Sequence, residues 1–349
     1  MFYKPQKKLA VLISALAATC LLIVPGCGSD SSSDTTEALS TTTMAVATTT
    51  TVAPTTTTVA PEPVEKPLIV VTTNILGDVV SKAVGELFDV ETIMPPGADP
   101  HVFQASAKQV DRMMKADLLV VNGANFEEGL LDVIKGAESD GVKVFEAMNS
   151  VDPLEDHDEE GHDDHHGHDH GGVDPHFFTD PGRMAQVVNQ LSDFLVLNFP
   201  EIDGEDLVSH MADYSKKLTD LDSEVMQTLS SIPESSRVLV TNHEVFAYFA
   251  ESYDFKILGT IIPSPSTLSN ASAKDLVDLA EEMKAEGVLA VFVDSSSSDA
   301  LADALAGELD GVAVVTLFSE SLAPEHSAGS TYIDMVRTNS ELIANALTG

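Results

Sequence analysis

Short apolar runs alternate with segments of helical periodicity over residues 68–347. Runs rich in Val and Ile indicate β-strands, whereas apolar residues three or four positions apart indicate helices. The pattern predicts strands at 68–73, 88–94, 117–121, 142–145, 237–241, 256–261, 288–293 and 312–318. It predicts helices at 74–84, 106–115, 126–135, 181–197, 273–285, 299–306 and 332–347. Strands that alternate with helices favour parallel pairing, so we expect an α/β fold with two lobes.

One long helical pattern separates the two series of strands. Its apolar positions recur every three or four residues, at Leu207, Met211, Tyr214, Leu218, Leu221, Val225, Leu229 and Ile232. We predict a connecting helix at 204–232, about 42 Å long at 1.5 Å per residue, between an N-terminal lobe at 67–203 and a C-terminal lobe at 233–349. A dimerising coiled coil is the alternative, but the pattern covers only about four heptads.

The first 66 residues have a different character. Three lysines precede an apolar run at 9–24, which is the layout of a secretory signal peptide, here at 1–26. The run leads into Cys27 in a pattern that resembles the lipobox of bacterial lipoproteins, so we predict that Cys27 is lipidated. An ordinary exported protein with a chance cysteine is the alternative. Residues 27–66 are rich in Thr and predict a disordered tether to the membrane surface.

Composition narrows the possible functions. The 349 residues contain 56 Asp and Glu against 18 Lys and Arg, and the formal net charge is −38. Nucleic-acid binding needs a basic surface, so that class is excluded. An acidic field attracts divalent cations without selecting among them. Both cysteines, Cys20 and Cys27, precede the predicted folded part, so we expect neither a disulfide framework nor a thiolate metal site there.

A histidine-rich segment interrupts the N-terminal lobe at 155–172. Residues 155–170 contain six histidines and eight acidic residues. The histidines are His157, His162, His165, His166, His168 and His170. Such a stretch cannot form a core and predicts a solvated loop. Imidazoles bind Zn²⁺ when neutral, so we predict an auxiliary metal loop of low affinity. A purely solvating acidic loop is the alternative.

Four other side chains follow the carboxyl ends of predicted strands: His101, His176, His243 and Glu320. Open α/β sheets place ligand sites at this edge. The first two belong to one lobe and the last two to the other, as a cleft between lobes requires. Three imidazoles and one carboxylate suit tetrahedral Zn²⁺. Taken alone, each of these residues is as consistent with an ordinary loop residue as with a metal ligand. Water or His326 is an alternative to Glu320 as the fourth ligand.

Six motifs surround these positions in one order along the chain. They are Val71-Thr-Thr-Asn74, Pro96-Gly-Ala-Asp-Pro-His101, Asn122-Gly-Ala124, Asp174-Pro-His176-Phe-Phe-Thr-Asp-Pro181, His243-Glu-Val-Phe-Ala-Tyr-Phe249 and Phe318-Ser-Glu320-Ser-Leu322. Together they resemble the zinc/manganese solute-binding lipoproteins of bacterial metal ABC transporters. The resemblance runs from Leu68 to the C-terminus.

The resemblance implies two Rossmann-like lobes with parallel sheets joined by one long connecting helix. It also implies one metal site in the cleft, with His101, His176 and His243 as ligands, and delivery of the ion to a membrane permease. Glu320 stands where the family motif usually has Asp. His243 and the histidine-rich loop resemble the zinc members, because manganese members tend to have Glu at the third ligand position.

Other functions have their own sequence features. His243-Glu244 begins an HExxH pattern, but Ala247 occupies the second histidine position, so the zinc-protease motif is incomplete. We expect Glu244 in the first turn of a helix, where the dipole favours an acid. A manganese receptor, a surface zinc buffer or adhesin, and a zinc hydrolase with Glu244 as general base are the alternatives. Our prediction is a monomeric, lipid-anchored, extracytoplasmic zinc receptor that is not an enzyme.

Overall fold

Two four-stranded sheets form the framework of the protein, and the computed structural model describes residues 66–154 and 172–348. The strands are β1 (Leu68–Val71), β2 (Asp89–Thr92), β3 (Leu118–Val121), β4 (Lys143–Glu146), β5 (Val238–Thr241), β6 (Lys256–Thr260), β7 (Ala290–Asp294) and β8 (Ala313–Leu317). Their orders are β2-β1-β3-β4 and β6-β5-β7-β8, with parallel pairing throughout. The two lobes therefore repeat one topology, and the predicted α/β fold is confirmed.

Helices cover both faces of each sheet. They are α1 (Asn74–Val84), α2 (Ala107–Met114), α3 (Leu131–Ser139), α4 (Pro181–Asn198), α5 (Gly204–Leu229), α6 (Ala247–Tyr253), α7 (Ala273–Glu286), α8 (Ala300–Gly307) and α9 (Tyr332–Thr348). Strand β1 shows why coverage is needed on both sides. Ile69 and Val71 face the central cluster of buried apolar residues, and Val70 faces a second cluster on the other side of the sheet. Successive side chains of a strand point to opposite faces of the sheet, and in β1 both faces are apolar and covered by other elements.

The central apolar cluster extends through both lobes. Its members include Ile69 of the N-terminal sheet, Leu239 and Phe292 of the C-terminal sheet, and the buried face of α5. Along α5, seven of the predicted apolar positions, Leu207 to Leu229, are buried. The helix packs mainly on α4 and α9. Helix α5 is thus a part of the shared core rather than an isolated rod between lobes.

The ends of α4 and α5 follow from their caps. Asp180 accepts hydrogen bonds from the backbone of Gly182 and Arg183, and Pro181 is the first helical residue, which confirms the predicted start of α4. Asp203 caps α5 in the same way. Helix α5 ends at Leu229 rather than at the predicted residue 232, although Ile232 is still buried.

The helix predicted at 126–135 begins later, at Leu131, after a 3-10 turn at 128–130. The three residues Gly123, Ala124 and Asn125 have φ of 95°, 49° and 60°, so the chain turns sharply after β3. Periodicity alone misplaced this start because Phe126 fits the apolar spacing while it belongs to the turn.

Several predictions fall on residues that the structure leaves undescribed. These are the signal peptide, Cys27, the tether and the six histidines of the histidine-rich loop. The domain boundaries at 203 and 232 also stay predictions. Within residues 66–154 and 172–348, no helix combines the length and the hydropathy needed to cross a membrane.

Candidate metal centre

The four side chains predicted to bind a metal meet at the carboxyl edges of the two sheets. His101 lies in the loop between β2 and α2, and His176 lies between β4 and α4. His243 follows β5 by two residues, and Glu320 follows β8 by three. Each lobe therefore contributes two side chains to a single cluster.

The distances within this cluster fit one small cation. One ligand atom from each side chain lies within 4.8 Å of the others. Oε1 of Glu320 is 3.1 Å from Nε2 of His243 and 3.4 Å from Nε2 of His176. Oε2 of Glu320 is 3.6 Å from Nε2 of His101. Neighbouring ligands around tetrahedral zinc, with bonds of about 2.0–2.1 Å, are separated by about 3.3 Å, so the spacing matches.

The cluster is nearly dry. His176 and His243 are 0% exposed, Glu320 is 2% exposed and His101 is 3% exposed. The ring of Phe126 lies edge-on to both His101 and His176, at centroid distances of 5.0 and 5.4 Å. Apolar walls of this kind strengthen electrostatic interactions at the centre because they exclude water.

Some atoms at the centre have no hydrogen bond within the described part of the chain. Nε2 of His101, Nε2 of His176 and Oε2 of Glu320 are buried and unpaired. Buried polar atoms are almost always paired, since burial without a partner is unfavourable. A cation among these atoms would satisfy all of them at once. The donor set and its unpaired atoms therefore fit a bound divalent metal.

Carboxylates behind two of the three imidazoles, those of His176 and His101, fix the orientation of these rings. Nδ1 of His176 lies 2.7 Å from Oδ1 of Asp174, which also accepts the His176 backbone N–H at 2.9 Å. Nδ1 of His101 lies 3.2 Å from Oε1 of Glu128. A proton on each Nδ1, held by a carboxylate, leaves the Nε2 lone pair free to bind a metal.

Asp294 positions Glu320 from the end of β7. Its Oδ2 accepts hydrogen bonds from the backbone of Ser319 and of Glu320, both at 2.9 Å, and from the Ser319 hydroxyl at 2.7 Å. The next residue, Ser321, is tied to the other lobe because its hydroxyl accepts a hydrogen bond from Asn74 Nδ2 at 2.7 Å. The carboxylate of Glu320 is thereby held between the lobes.

A buried acid also supports the N-terminal half of the site. Glu127 accepts hydrogen bonds from the Thr72 hydroxyl and the Asn122 backbone, both at 2.6 Å. Burial raises the pKa of Glu127, and these hydrogen bonds offset part of that effect. Asn122 in turn donates to the carbonyl of Pro175 at 2.9 Å, next to His176. The turn after β3 thus fixes the segment that presents His176.

The charges at the centre favour an ionised carboxylate. Burial alone would raise the pKa of Glu320, but the His176, His101 and His243 side chains outweigh it and hold that pKa well below its ordinary value. Burial lowers the pKa of His101, yet the carboxylates of Glu320, Asp99 and Glu128 outweigh it and raise that pKa. Metal binding requires neutral imidazole, so a metal would displace protons from this cluster.

The position of the four side chains at strand ends predicts the cluster, but the residues that support it are only partly predictable. Asp294 ends β7 at the same sheet edge, so the rule that found Glu320 could have identified it. The contact between Glu128 and His101 is not predictable in this way, because the apolar spacing predicts a helix at 126–135 where the structure has the 3-10 turn at 128–130. His326 is exposed and lies outside the cluster of four side chains. Glu244 precedes α6, which begins at Ala247, so its predicted place in a first helical turn is wrong.

Comparison with known families agrees with this geometry. The profile of the family described as zinc-uptake complex component A, periplasmic (ZnuA), matches residues 69–346. The chain belongs to the ZnuA family. This confirms the resemblance carried by the six motifs and assigns the chain to a metal-uptake system.

Relatives of this ZnuA-family chain are named for two metals. The zinc-binding protein TroA of Treponema pallidum is 29% identical over 287 residues, which cover 81% of this chain and 89% of TroA. The manganese ABC transporter substrate-binding lipoprotein PsaA of Streptococcus anginosus is 25% identical over 291 residues, which cover 81% of this chain and 90% of PsaA. Both relatives are named as binding proteins.

A solved structure shares the fold of this ZnuA-family chain. The periplasmic zinc-binding protein TroA of Treponema pallidum superposes with a TM-score of 0.72 at 27% identity. The match covers 81% of this chain and 100% of the TroA chain.

Proposed function

We propose that the protein is an extracytoplasmic receptor that captures Zn²⁺ with His101, His176, His243 and Glu320 and delivers it to the permease of an ABC importer. The observation that carries this proposal is the convergence of four buried ligand atoms within 4.8 Å of one another. Membership of the ZnuA family and the relatives named as zinc-binding or ABC transporter proteins support the transport role.

Ligand chemistry favours zinc over manganese at this site. Imidazole nitrogen suits Zn²⁺, whereas Mn²⁺ prefers sites built mainly from oxygen ligands. Three of the four proposed ligands are imidazoles. Four protein ligands also complete a tetrahedral shell, whereas catalytic zinc keeps one position for water or substrate. The same set therefore supports binding rather than hydrolysis.

The N-terminal segment indicates where the receptor is located. We propose that the mature chain begins at a lipidated Cys27 and stands off the membrane on its Thr-rich tether as a monomer. Relatives named as lipoproteins support this placement. Mass spectrometry of the N-terminal peptide from membrane fractions tests the anchor, because an unmodified Cys27 would contradict it.

Competitive titration tests the metal assignment. Wild-type protein is titrated with Zn²⁺ and with Mn²⁺ against a chromogenic chelator, beside a His176→Ala variant and a His210→Ala control. His210 is an exposed histidine on α5, away from the cluster. We expect one tight zinc site in the wild type and the control, and its loss in His176→Ala.

The alternatives give different titrations. Tighter binding of Mn²⁺ than of Zn²⁺ would identify a manganese receptor of the same type. Zinc affinity that survives His176→Ala unchanged would contradict the proposed site. Zinc that is bound only weakly and in several equivalents would favour a surface buffer.

A further inference from the structure

The loop of residues 263–269 reaches from the C-terminal lobe to the N-terminal lobe beside the proposed metal site. It follows β6, and its base is tied to the segment after His243, because the backbone N–H of Glu244 donates to the carbonyl of Ser264 at 3.1 Å. The loop therefore starts next to a proposed ligand of its own lobe.

The tip of the 263–269 loop is bonded to the opposite lobe. The hydroxyl of Ser266 donates to Oε1 of Glu128, and the hydroxyl of Thr267 donates to Oδ2 of Asp99 at 2.8 Å. Both contacts join a neutral hydroxyl to a carboxylate. Hydrogen bonds to charged groups are stronger than bonds between neutral groups.

Both acceptors also hold His101. Oε1 of Glu128 lies 3.2 Å from Nδ1 of His101, and Oδ1 of Asp99 accepts the His101 backbone N–H at 2.9 Å. Each side-chain hydrogen bond between the loop tip and the N-terminal lobe thus ends on a carboxylate that positions one proposed ligand. The loop and the orientation of His101 are mechanically linked through two shared side chains.

The loop is built to keep its shape. Pro263 and Pro265 restrict the backbone on either side of Ser264. The Ser264 hydroxyl accepts hydrogen bonds from the Ser266 backbone at 3.1 Å and from the Ser269 hydroxyl at 2.9 Å. Because the tip is braced from within, it presents Ser266 and Thr267 to the other lobe at little cost in conformational entropy.

We propose that Ser266 and Thr267 are positioning residues that retain the bound ion. While their hydrogen bonds hold the 263–269 loop across the cleft, Glu128 and Asp99 keep His101 aimed at the metal. When these bonds break, the lobes separate locally and His101 is freed. This inference rests on the proposed function, and it assigns the rate of metal release to two hydroxyl groups that are not themselves ligands.

Metal release from the full-length protein tests the proposal. Zinc-loaded wild type, Ser266→Ala and Thr267→Val are mixed with excess chelator, and the dissociation rate is followed by stopped flow. We expect release to be about tenfold faster for each lost hydrogen bond. Thr267→Ser keeps a hydroxyl and should restore the wild-type rate. Ser269→Ala breaks one hydrogen bond inside the loop, so it measures the contribution of loop order alone, and we expect a smaller acceleration than in Ser266→Ala or Thr267→Val.

The melting temperature of the metal-free proteins separates positioning from general loosening. We expect it to fall by only a few degrees in each variant, because one loop hydrogen bond is a small part of the stability of the whole fold. Equal dissociation rates for Thr267→Val and wild type would overturn the proposal. An equal acceleration in Ser269→Ala would also overturn it, since loop order alone would then explain the effect. Wild-type protein that binds no zinc at all would instead overturn the proposed function, and that result needs no variant.

Discussion

At the residue scale, Glu320 is the one anionic side chain among the four proposed ligands. Its two oxygens face all three imidazoles, and Asp294 fixes its backbone. A dication in a dry pocket depends on this charge, because the imidazoles bring none when they bind metal. We expect the charge to matter more than the length of the side chain, because a dication without a counter-charge is strongly unfavourable in a dry pocket.

Substitution at residue 320 separates the two properties. Glu320→Gln keeps the size and removes the charge, and we expect zinc affinity to fall by more than the roughly 10–100-fold typical of changes to outer partners of a site. Glu320→Asp keeps the charge and should retain most of the affinity. Competition with a chelator of known affinity measures the zinc affinity of both variants. A larger loss of affinity in Glu320→Asp than in Glu320→Gln would show that the length of the side chain matters more than its charge.

The carboxylate behind His176 gives a second prediction at this scale. Asp174→Asn removes the charge that holds Nδ1 of His176, and we expect a loss of about 10–100-fold in zinc affinity with the fold intact. Asp193→Asn on the exposed face of α4 is the control. The same titration applies, with circular dichroism to confirm folding. Equal affinities for both variants would mean that Asp174 does not position the imidazole.

At the scale of elements, the 3-10 turn at 128–130 packs against the segment after His101. A Cβ on Gly129 would lie 2.1 Å from the carbonyl oxygen of Phe103, so backbone must move. We expect Gly129→Ala to destabilise the protein by about 1–3 kcal/mol and to weaken zinc binding. Gly136→Ala on α3 meets nothing within 4 Å and should stabilise by about 0.5–1 kcal/mol. Urea unfolding with and without zinc measures both variants.

Elements with a strong period were predictable from the sequence. The apolar face of α5 and the alternation of strands and helices needed no tertiary information, because burial of one helical face and of both strand faces fixes their composition. The edge rule for parallel sheets also brought His101, His176, His243 and Glu320 together. These features are local or follow from topology.

The parts that sequence missed depend on contacts between distant residues. Glu128 meets His101 only because residues 123–125 turn through positive φ. The partners of the 263–269 loop in the N-terminal lobe lie more than 130 residues away in the chain. Neither the turn nor these long-range hydrogen bonds leave a periodic signal in the sequence.

At the scale of the whole molecule, the residues on either side of the histidine-rich segment are hydrogen-bonded to each other. The backbone N–H of Asp174 donates to the carbonyl of Leu154 at 3.2 Å, and the Tyr248 hydroxyl donates to the carbonyl of Asp174 at 2.8 Å. Deletion of residues 155–170 should therefore leave the fold and one tight zinc site intact and remove the weaker equivalents. Isothermal titration counts both classes, and loss of the tight site would show that the loop is part of it.

The central apolar cluster, which includes residues of both lobes, also determines how the protein unfolds. Because the lobes share one core with α5, we expect a single cooperative unfolding transition in calorimetry. Zinc at 1,000 times its dissociation constant should shift this transition as a whole by about 4 kcal/mol of added stability. Two separate endotherms would contradict this. With a single transition, the receptor would have no half-unfolded state from which the ion could escape, and the ion would leave by a local opening of the folded protein.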